Sequence, residues 1–425
     1  MELTEQKNKN RYIHTLFHGD PVIWIVFFLL CAISVIEVYS ATSTLSYKDG
    51  HYWTPVVKHS MYLLVGFVIA FLVHNIPCRW FKLYPLLFIP ASWLLLIMVP
   101  FVGETINNAR RVIQIFGIPV QPSELAKGAI VIAVAVILSV TQTPKGADKH
   151  AFKYILYLTV PTCVIIAPEN FSTAALLFLV VLLMMFIGHV PLVQIGKLLG
   201  ILSIAAVLGG GVMMMVPEKT LDVVPMGHRI STWKHRLTKF TDHSDSKTKE
   251  IAPEDYDMTN NAQVANSNIA IATSNIIGKM PGNSVQRDFL SQAYSDFIYS
   301  IIIEELGLAG GAGVALLYII LFFRAGKIAR QCERNFPAFL VMGLSLLFVI
   351  QAMVNMCVAV GLMPVTGQPL PLISRGGAST IVNCVYIGMM LSVSRFAKRR
   401  EEPATVNENN DVVNEAEFQR TEGIE

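Results

Sequence analysis

The stretch SQAYSDFIYSIIIEELG, residues 291–307, sets Asp296, Glu304 and Glu305 in an otherwise mostly apolar run. A lone carboxylate beside a reacting hydroxyl can act as its general base. The sequence places Asp296 in the first turn of a helix, with Ser295 near the cap, where an acid also offsets the helix dipole by ~0.3–1 kcal/mol. Helix geometry then sets Glu304 about 12 Å deeper and roughly 80° around, with Glu305 nearly opposite Asp296. The two glutamates cannot both share one site with the aspartate. They are expected to support it, at least one of them anchoring a neighbouring helix through hydrogen bonds or Lys127. In QPSELAKGAIV, Glu124 and Lys127 stand three apart on one helix face, acid first, the order that favours pairing. They form a structural ion pair, a ligand for an anion, or both. Upstream, NNARRVIQIFG carries Arg110 and Arg111, whose forked donors match phosphate oxygens, although arginines near headgroups also bind lipid phosphate without specificity. In PLISRGGAST, Ser374 and Arg375 precede Gly376 and Gly377, which open a helix whose first amides make an anion site. One carboxylate and a cationic cradle suit group transfer from a lipid-linked diphosphate. Such a leaving group needs positive charge rather than the protonated acid of ordinary glycoside cleavage, and the incoming hydroxyl needs a base.

The elements that position these residues are membrane spans. Of 425 residues, 53% are hydrophobic and 15% charged, with a mean hydropathy of +0.52, too few charges for a soluble surface. Apolar runs long enough to cross a bilayer centre on 22–40, 60–76, 83–102, 124–141, 152–167, 172–188, 197–216, 296–323, 337–361 and 377–394. The expected fold class is an all-α polytopic membrane protein of about ten transmembrane helices, with a large extracytoplasmic loop, 217–290, between the seventh and eighth. The first run is too long for a signal h-region and lacks a small-residue cleavage site, so it reads as a retained span. Residues 1–20 read as a cytoplasmic tail, 21–397 as the membrane domain, and 398–425, acidic and without apolar periodicity, as a disordered cytoplasmic tail. Lys and Arg in short loops favour an inside N-terminus and inside C-terminus. In the long loop, HRISTWKHRLTKF has the pattern of a basic amphipathic helix suited to the headgroup layer.

Other chemistry finds little support. The six cysteines show no disulfide or metal-ligand spacing, and P-loop, HExxH and CxxC patterns are absent. GLAGGAGVAL, 307–316, follows no strand and fits close helix packing rather than nucleotide binding. Nothing points to nucleic acid. No cofactor is required by the residues, with Mg2+ or Mn2+ as a candidate for sharing the neutralisation of a diphosphate.

Three stretches, ARRVIQIFGIPVQPSELAK, GNSVQRDFLSQAYSDFIYSIIIEELG and MPVTGQPLPLISRGGAST, together resemble the SEDS family (FtsW/RodA) of peptidoglycan glycosyltransferases, in the same order and spacing. The resemblance covers residues 20–397. It is nearer the FtsW division branch, in a form like that of Bacteroides-type bacteria, than the RodA elongation branch. It implies ten spans and polymerisation of lipid II, with inversion, at the outer face of the bacterial cytoplasmic membrane, in particular at the division septum. It also implies a class B penicillin-binding transpeptidase and other divisome proteins as partners. Asp296 matches the family's essential aspartate, and Glu124 and Lys127 its charged pair after QPSE. Departures are Ser291, Gln292, Ala293 and Tyr294 where Pro-Glu-Ala-His is common, Arg375 where Tyr is usual, and Asn170 where an acid is expected, with Glu169 beside it. A lipid II flippase and a non-catalytic divisome component are the competing readings. Charges inside a helical bundle also suit a headgroup path, but the broken-helix repeats of transporters are not evident.

Overall fold

The computed structural model describes residues 19–41, 53–106, 109–115, 117–144, 146–215, 262–290 and 293–398. The basic helix read at 228–240 and the two terminal tails, 1–18 and 399–425, lie outside the described residues. Among the described residues nine helices are long and apolar enough to cross a membrane. In chain order the helices are α1 (Pro21–Ala41), α2 (Thr54–His74), α3 (Tyr84–Val102, entered through a 3-10 turn at Cys78–Leu83), α4 (Pro122–Thr141), α5 (Lys149–Ile187), α6 (Leu192–Met215), α7 (Ala262–Ala272), α8 (Ile298–Gln331), α9 (Asn335–Ala359) and α10 (Ala378–Lys398). Pro at the first turn opens α2, α3 and α4, where its missing N–H costs nothing.

Among the described residues these nine long apolar helices make ten crossings, because α5 is a hairpin. Asn170 leaves the helical region (φ −150°, ψ 78°) two residues after Pro168. Its side-chain oxygen accepts the Thr173 N–H at 3.2 Å, capping the returning arm. The arms meet where Cys163 Sγ lies 3.6 Å from the Ala174 carbonyl. Both ends of α5 reach the same face, since the Ala147 N–H donates to the His189 carbonyl at 3.2 Å.

α8 also doubles back, and here the expectation from sequence is corrected. Gly307 adopts φ 74°, ψ −179°, backbone that glycine alone takes without strain. The short arm, 298–306, folds against the long one, 308–331: Tyr299 Oη donates to the Gly311 carbonyl at 3.1 Å, a separation of about 18 Å in a straight helix. The exposed backbone groups at this break are satisfied by one irregular turn segment, 275–280. Lys279 and Met280 N–H donate to the Glu304 and Glu305 carbonyls at 3.0 and 2.8 Å, while Leu308 and Ala309 N–H donate to the Asn275 and Ile276 carbonyls at 3.2 and 3.3 Å. Gly278 permits the approach, because a Cβ there would lie 2.3 Å from the Gly307 nitrogen. The eighth crossing is therefore 308–331, and Asp296 belongs to the approach rather than to the span.

A second departure from an all-helical chain is the connection after α3. It forms an antiparallel sheet of β1 (Glu104–Ile106), β2 (Ala109–Ile115) and β3 (Ile118–Val120), ordered β1-β2-β3. Val112 and Ile113 of β2 are both buried. Buried core side chains come mostly from α1, α4, α5, α8, α9 and α10, while many apolar residues of α3 and α6 remain exposed on the outer surface of the bundle.

Candidate active site

A cavity of about 510 Å³ opens at the face bearing the three-stranded sheet. Its walls come from α2 (Lys58, Tyr62), β2 (Arg111, Val112), the segment before α8 (Tyr294, Ser295, Asp296), the loop after α9 (Gly367, Pro369) and the start of α10 (Arg375, Gly376, Gly377, Ser379). Asp296 is the carboxylate among these lining residues; Lys58, Arg111 and Arg375 are the cations.

Asp296 is not in a helix. α8 begins at Ile298 with Phe297 as its cap residue and no side-chain cap, so the expected Ser295 cap is corrected. Ser295 Oγ instead donates to Asp296 Oδ1 at 3.0 Å. The aspartate is held through its backbone. Three successive carbonyls are gripped by the neighbouring loop and α9: Tyr294 O accepts the Arg375 N–H at 3.0 Å, Ser295 O accepts Ser374 Oγ at 2.7 Å, and Asp296 O accepts Asn355 Nδ2 at 2.9 Å. Asn355 Nδ2 also reaches the Gln368 carbonyl at 2.8 Å, tying both sides of the cavity to one side chain. Ser374 is buried and forms wall structure, because its Oγ also accepts the Leu370 N–H at 2.7 Å.

The positive charge is equally fixed. The Arg375 guanidinium lies 5.4 Å from the Tyr294 ring centre, an attraction between cation and ring face. Thus the two departures at Tyr294 and Arg375 meet as a stacked pair. Arg111 and Asp296 converge over Gly367, where a Cβ would stand 3.0 Å from Arg111 Nη1 and 3.5 Å from Asp296 Oδ2. Gly367 has φ +68°, so both conformation and space favour glycine there. Gly377, at φ +51°, turns the chain into α10, and its helix start faces the cavity. The side chain of Arg110 lies outside the described residues.

Glu124 and Lys127 stand behind the wall. Their ion pair is 2.7 Å long, with side-chain exposures of 2% and 0%, and neither lines the cavity. Lys127 Nζ donates to Gln351 Oε1 at 2.7 Å, and Gln351 Nε2 donates to the carbonyl of cavity-lining Pro369 at 3.0 Å. Of the two anchors expected for the glutamates, the structure shows hydrogen bonds and not Lys127: Glu304 and Glu305, both fully buried, grip the 279–287 segment, and Glu305 also holds Ser40 of α1. Glu304 accepts Lys279 Nζ at 2.7 Å, the Val285 and Gln286 N–H groups at 3.1 and 3.3 Å, and Ser284 Oγ. Glu305 accepts Ser40 Oγ and the Ser284 N–H at 3.2 Å. Neither is among the cavity-lining residues.

Sequence reasoning did not single out Lys58, Tyr62, Gly367, Gln351 or Asn355. A signal existed for the last two: FVIQAMVNM sets amides four apart on one face of an apolar span, where polar side chains are costly unless partnered. Lys58, in the first turns of α2, had no such signal.

These features define a polytopic helical membrane protein with a cationic, carboxylate-bearing cavity open at one face of its bundle. The chain belongs to the FtsW/RodA/SpoVE family of cell cycle proteins, whose family model matches residues 20–399. It is 30% identical over 382 residues to a protein of Geobacter sp. (strain M18) named probable peptidoglycan glycosyltransferase FtsW, covering 88% of this chain and 96% of that one. A protein of the same name from Halomonas elongata is 29% identical over 380 residues, covering 87% and 89%. The fold is shared with a chain solved in work on the coordination of polymerization and crosslinking by a peptidoglycan synthase complex (TM-score 0.68, 23% identity, 89% and 98% of the two chains covered). It is also shared with the rod shape determining protein RodA of Thermus thermophilus (TM-score 0.60, 22% identity, 89% and 97% covered).

Proposed function

We propose that this chain is a peptidoglycan glycosyltransferase that polymerises lipid II, with Asp296 as general base. The observation that carries the reading is the cavity itself, where one carboxylate faces Lys58, Arg111 and Arg375. The acceptor sugar's 4-hydroxyl gives its proton to Asp296 as its oxygen forms a bond to the donor's anomeric carbon. On the opposite face the bond to the lipid diphosphate breaks, so configuration inverts. Arg111, Arg375, Lys58 and the amides at Gly376 and Gly377 receive the departing diphosphate charge, with Arg110 on the same strand as a further candidate. Glu124, Lys127 and Ser374 act as positioning residues through the wall they build, and Glu304 and Glu305 fix the segment that leads to Asp296.

Among the described residues no three His, Cys, Asp or Glu converge. Mg2+ or Mn2+ would be held by Asp296 together with phosphate oxygens, an arrangement Mg2+ accepts while keeping several waters. EDTA-treated protein that loses rate and regains it with Mg2+ supports that contribution. The face bearing Arg79, Lys82, Lys149, Lys153, Arg324, Arg330 and Arg334 is the cytoplasmic one by the positive-inside rule, so both termini are cytoplasmic and the cavity opens outward. The place of action is the septum, with a single-span class B penicillin-binding transpeptidase and other divisome proteins as partners. Copurification from native membranes should recover that transpeptidase in near-equal amount.

Asp296→Asn keeps the shape of the side chain and removes the base. It should insert, bind lipid II and lower glycan synthesis about 100-fold or more. Purified protein given labelled lipid II in detergent, followed by gel analysis of the glycan, measures this. Near-native polymerisation by the Asn variant would place the base elsewhere, and transport across liposomes without any polymer would favour a flippase.

A further inference from the structure

On the face opposite the Asp296 cavity lies a larger cavity of about 780 Å³. Arg79 and Lys82 reach it from the 3-10 turn before α3, Arg334 from the α8–α9 connection, and Phe336, Val393 and Phe396 supply apolar wall. Lys82 Nζ is held 5.2 Å from the Phe336 ring centre, and Arg79 lies 5.8 Å from that of Trp80. Glu333 is the single acid among the lining residues. Basic residues at this face have a topological role, but that role needs no concavity. Here cations from two separate connections converge on one cavity with an aromatic wall. Segments from the α2–α3 connection, the end of α4, the α8–α9 connection and the end of α10 ring it. Its walls are therefore built by four separate segments of the chain.

The chain itself supplies a matching ligand. Val393, Phe396 and Ala397, in the last turns of α10, form part of the cavity wall. After the basic run Lys398, Arg399 and Arg400 come residues 401–425, EEPATVNENNDVVNEAEFQRTEGIE, with eight acidic side chains, one arginine, and apolar Val412, Val413 and Phe418. We infer that this cavity is a binding site for an acidic peptide and that residues 401–425 occupy it in cis. Tethering makes weak contacts sufficient. At an effective concentration of about a millimolar, the order of magnitude for a segment tethered close to its site, an intrinsic Kd on the order of 100 µM leaves roughly nine sites in ten filled. The inference is independent of the role given to Asp296.

The test uses the full chain in phosphatidylcholine nanodiscs, with benzoylphenylalanine in place of Phe418 and crosslinks mapped by mass spectrometry. At 0.1 M salt the crosslinks should fall on residues 78–82 and 331–337. They should drop about threefold or more at 1 M salt, where the Debye length is only about 3 Å. The triple variant Arg79→Gln, Lys82→Gln, Arg334→Gln should lose them, and so should Glu415→Gln, Glu417→Gln, Glu422→Gln, which leaves the membrane domain untouched. Crosslinks confined to the tail itself, or unchanged in either triple variant, overturn the inference. Displacement of the tail crosslinks on adding phosphatidylglycerol, with retention of that lipid lost in the Arg/Lys variant, would assign the cavity to an anionic headgroup and equally overturn it.

Discussion

Lys127→Met separates a substrate ligand from a buried support. The ammonium is fully buried, 2.7 Å from Glu124 Oε1 and 2.7 Å from Gln351 Oε1. Removing it strands the Glu124 carboxylate at 2% exposure, a loss of about 3–5 kcal/mol for one partner of a buried pair. Gln351 also loses a donor, adding about 1 kcal/mol. The sum, about 4–6 kcal/mol, is a large part of the ~5–15 kcal/mol that holds a domain together. The double variant Glu124→Gln, Lys127→Met leaves no unpaired charge and should recover most of that loss. Denaturant titration of purified protein in detergent measures the stabilities, and initial rates with labelled lipid II give kcat and KM of the folded fraction. Because Lys127 lies behind the wall, KM should stay within about twofold. The kcat should fall several-fold as Gln351 loosens its hold on the Pro369 carbonyl. A Lys127→Met protein as stable as the parent, with KM raised tenfold or more, would show that the ammonium meets substrate and would refute the buried-support assignment.

Arg111→Lys keeps the charge but removes the fork; KM for lipid II should rise about tenfold, the equivalent of ~1.4 kcal/mol, and an unchanged KM would take Arg111 out of the site. Gly367→Ala puts a Cβ 3.0 Å from Arg111 Nη1 on backbone at φ +68°; stability should fall by about 1–2 kcal/mol and turnover with it, as read by denaturant titration and initial rates. Glu304→Gln replaces an anionic acceptor of several hydrogen bonds, each worth about 1.5–3 kcal/mol when charged. Hydrogen exchange at the Val285 and Gln286 amides should accelerate at least tenfold, whereas unchanged exchange would mean that another contact holds the 279–287 segment.

Sequence alone determined the membrane class, the approximate place of most crossings and several of the residues that line the cavity, Arg111, Asp296, Arg375, Gly376 and Gly377 among them. Apolar runs such as 124–141 have one stable solution in a bilayer, a helix that satisfies its own backbone, and Asp296 and the RGG turn stand out because charge and glycine are exceptional in such surroundings. The Glu124–Lys127 pair was legible too, since its contact is three residues long. Tertiary structure alone decided which of these residues meet. The spans are apolar nearly all round, so periodicity does not tell an inward face from a lipid-facing one. Lys58, Arg111, Asp296 and Arg375 are drawn together from segments far apart in the chain. The reversal at Gly307 depends on Gly278 and the 275–280 segment lying against it, a contact that local helix rules cannot contain; without it Asp296 reads as the first turn of a span. Lys127 shows the same limit from the other side: its helix face was known, but only the position of Gln351 on α9 made it a support for the cavity wall.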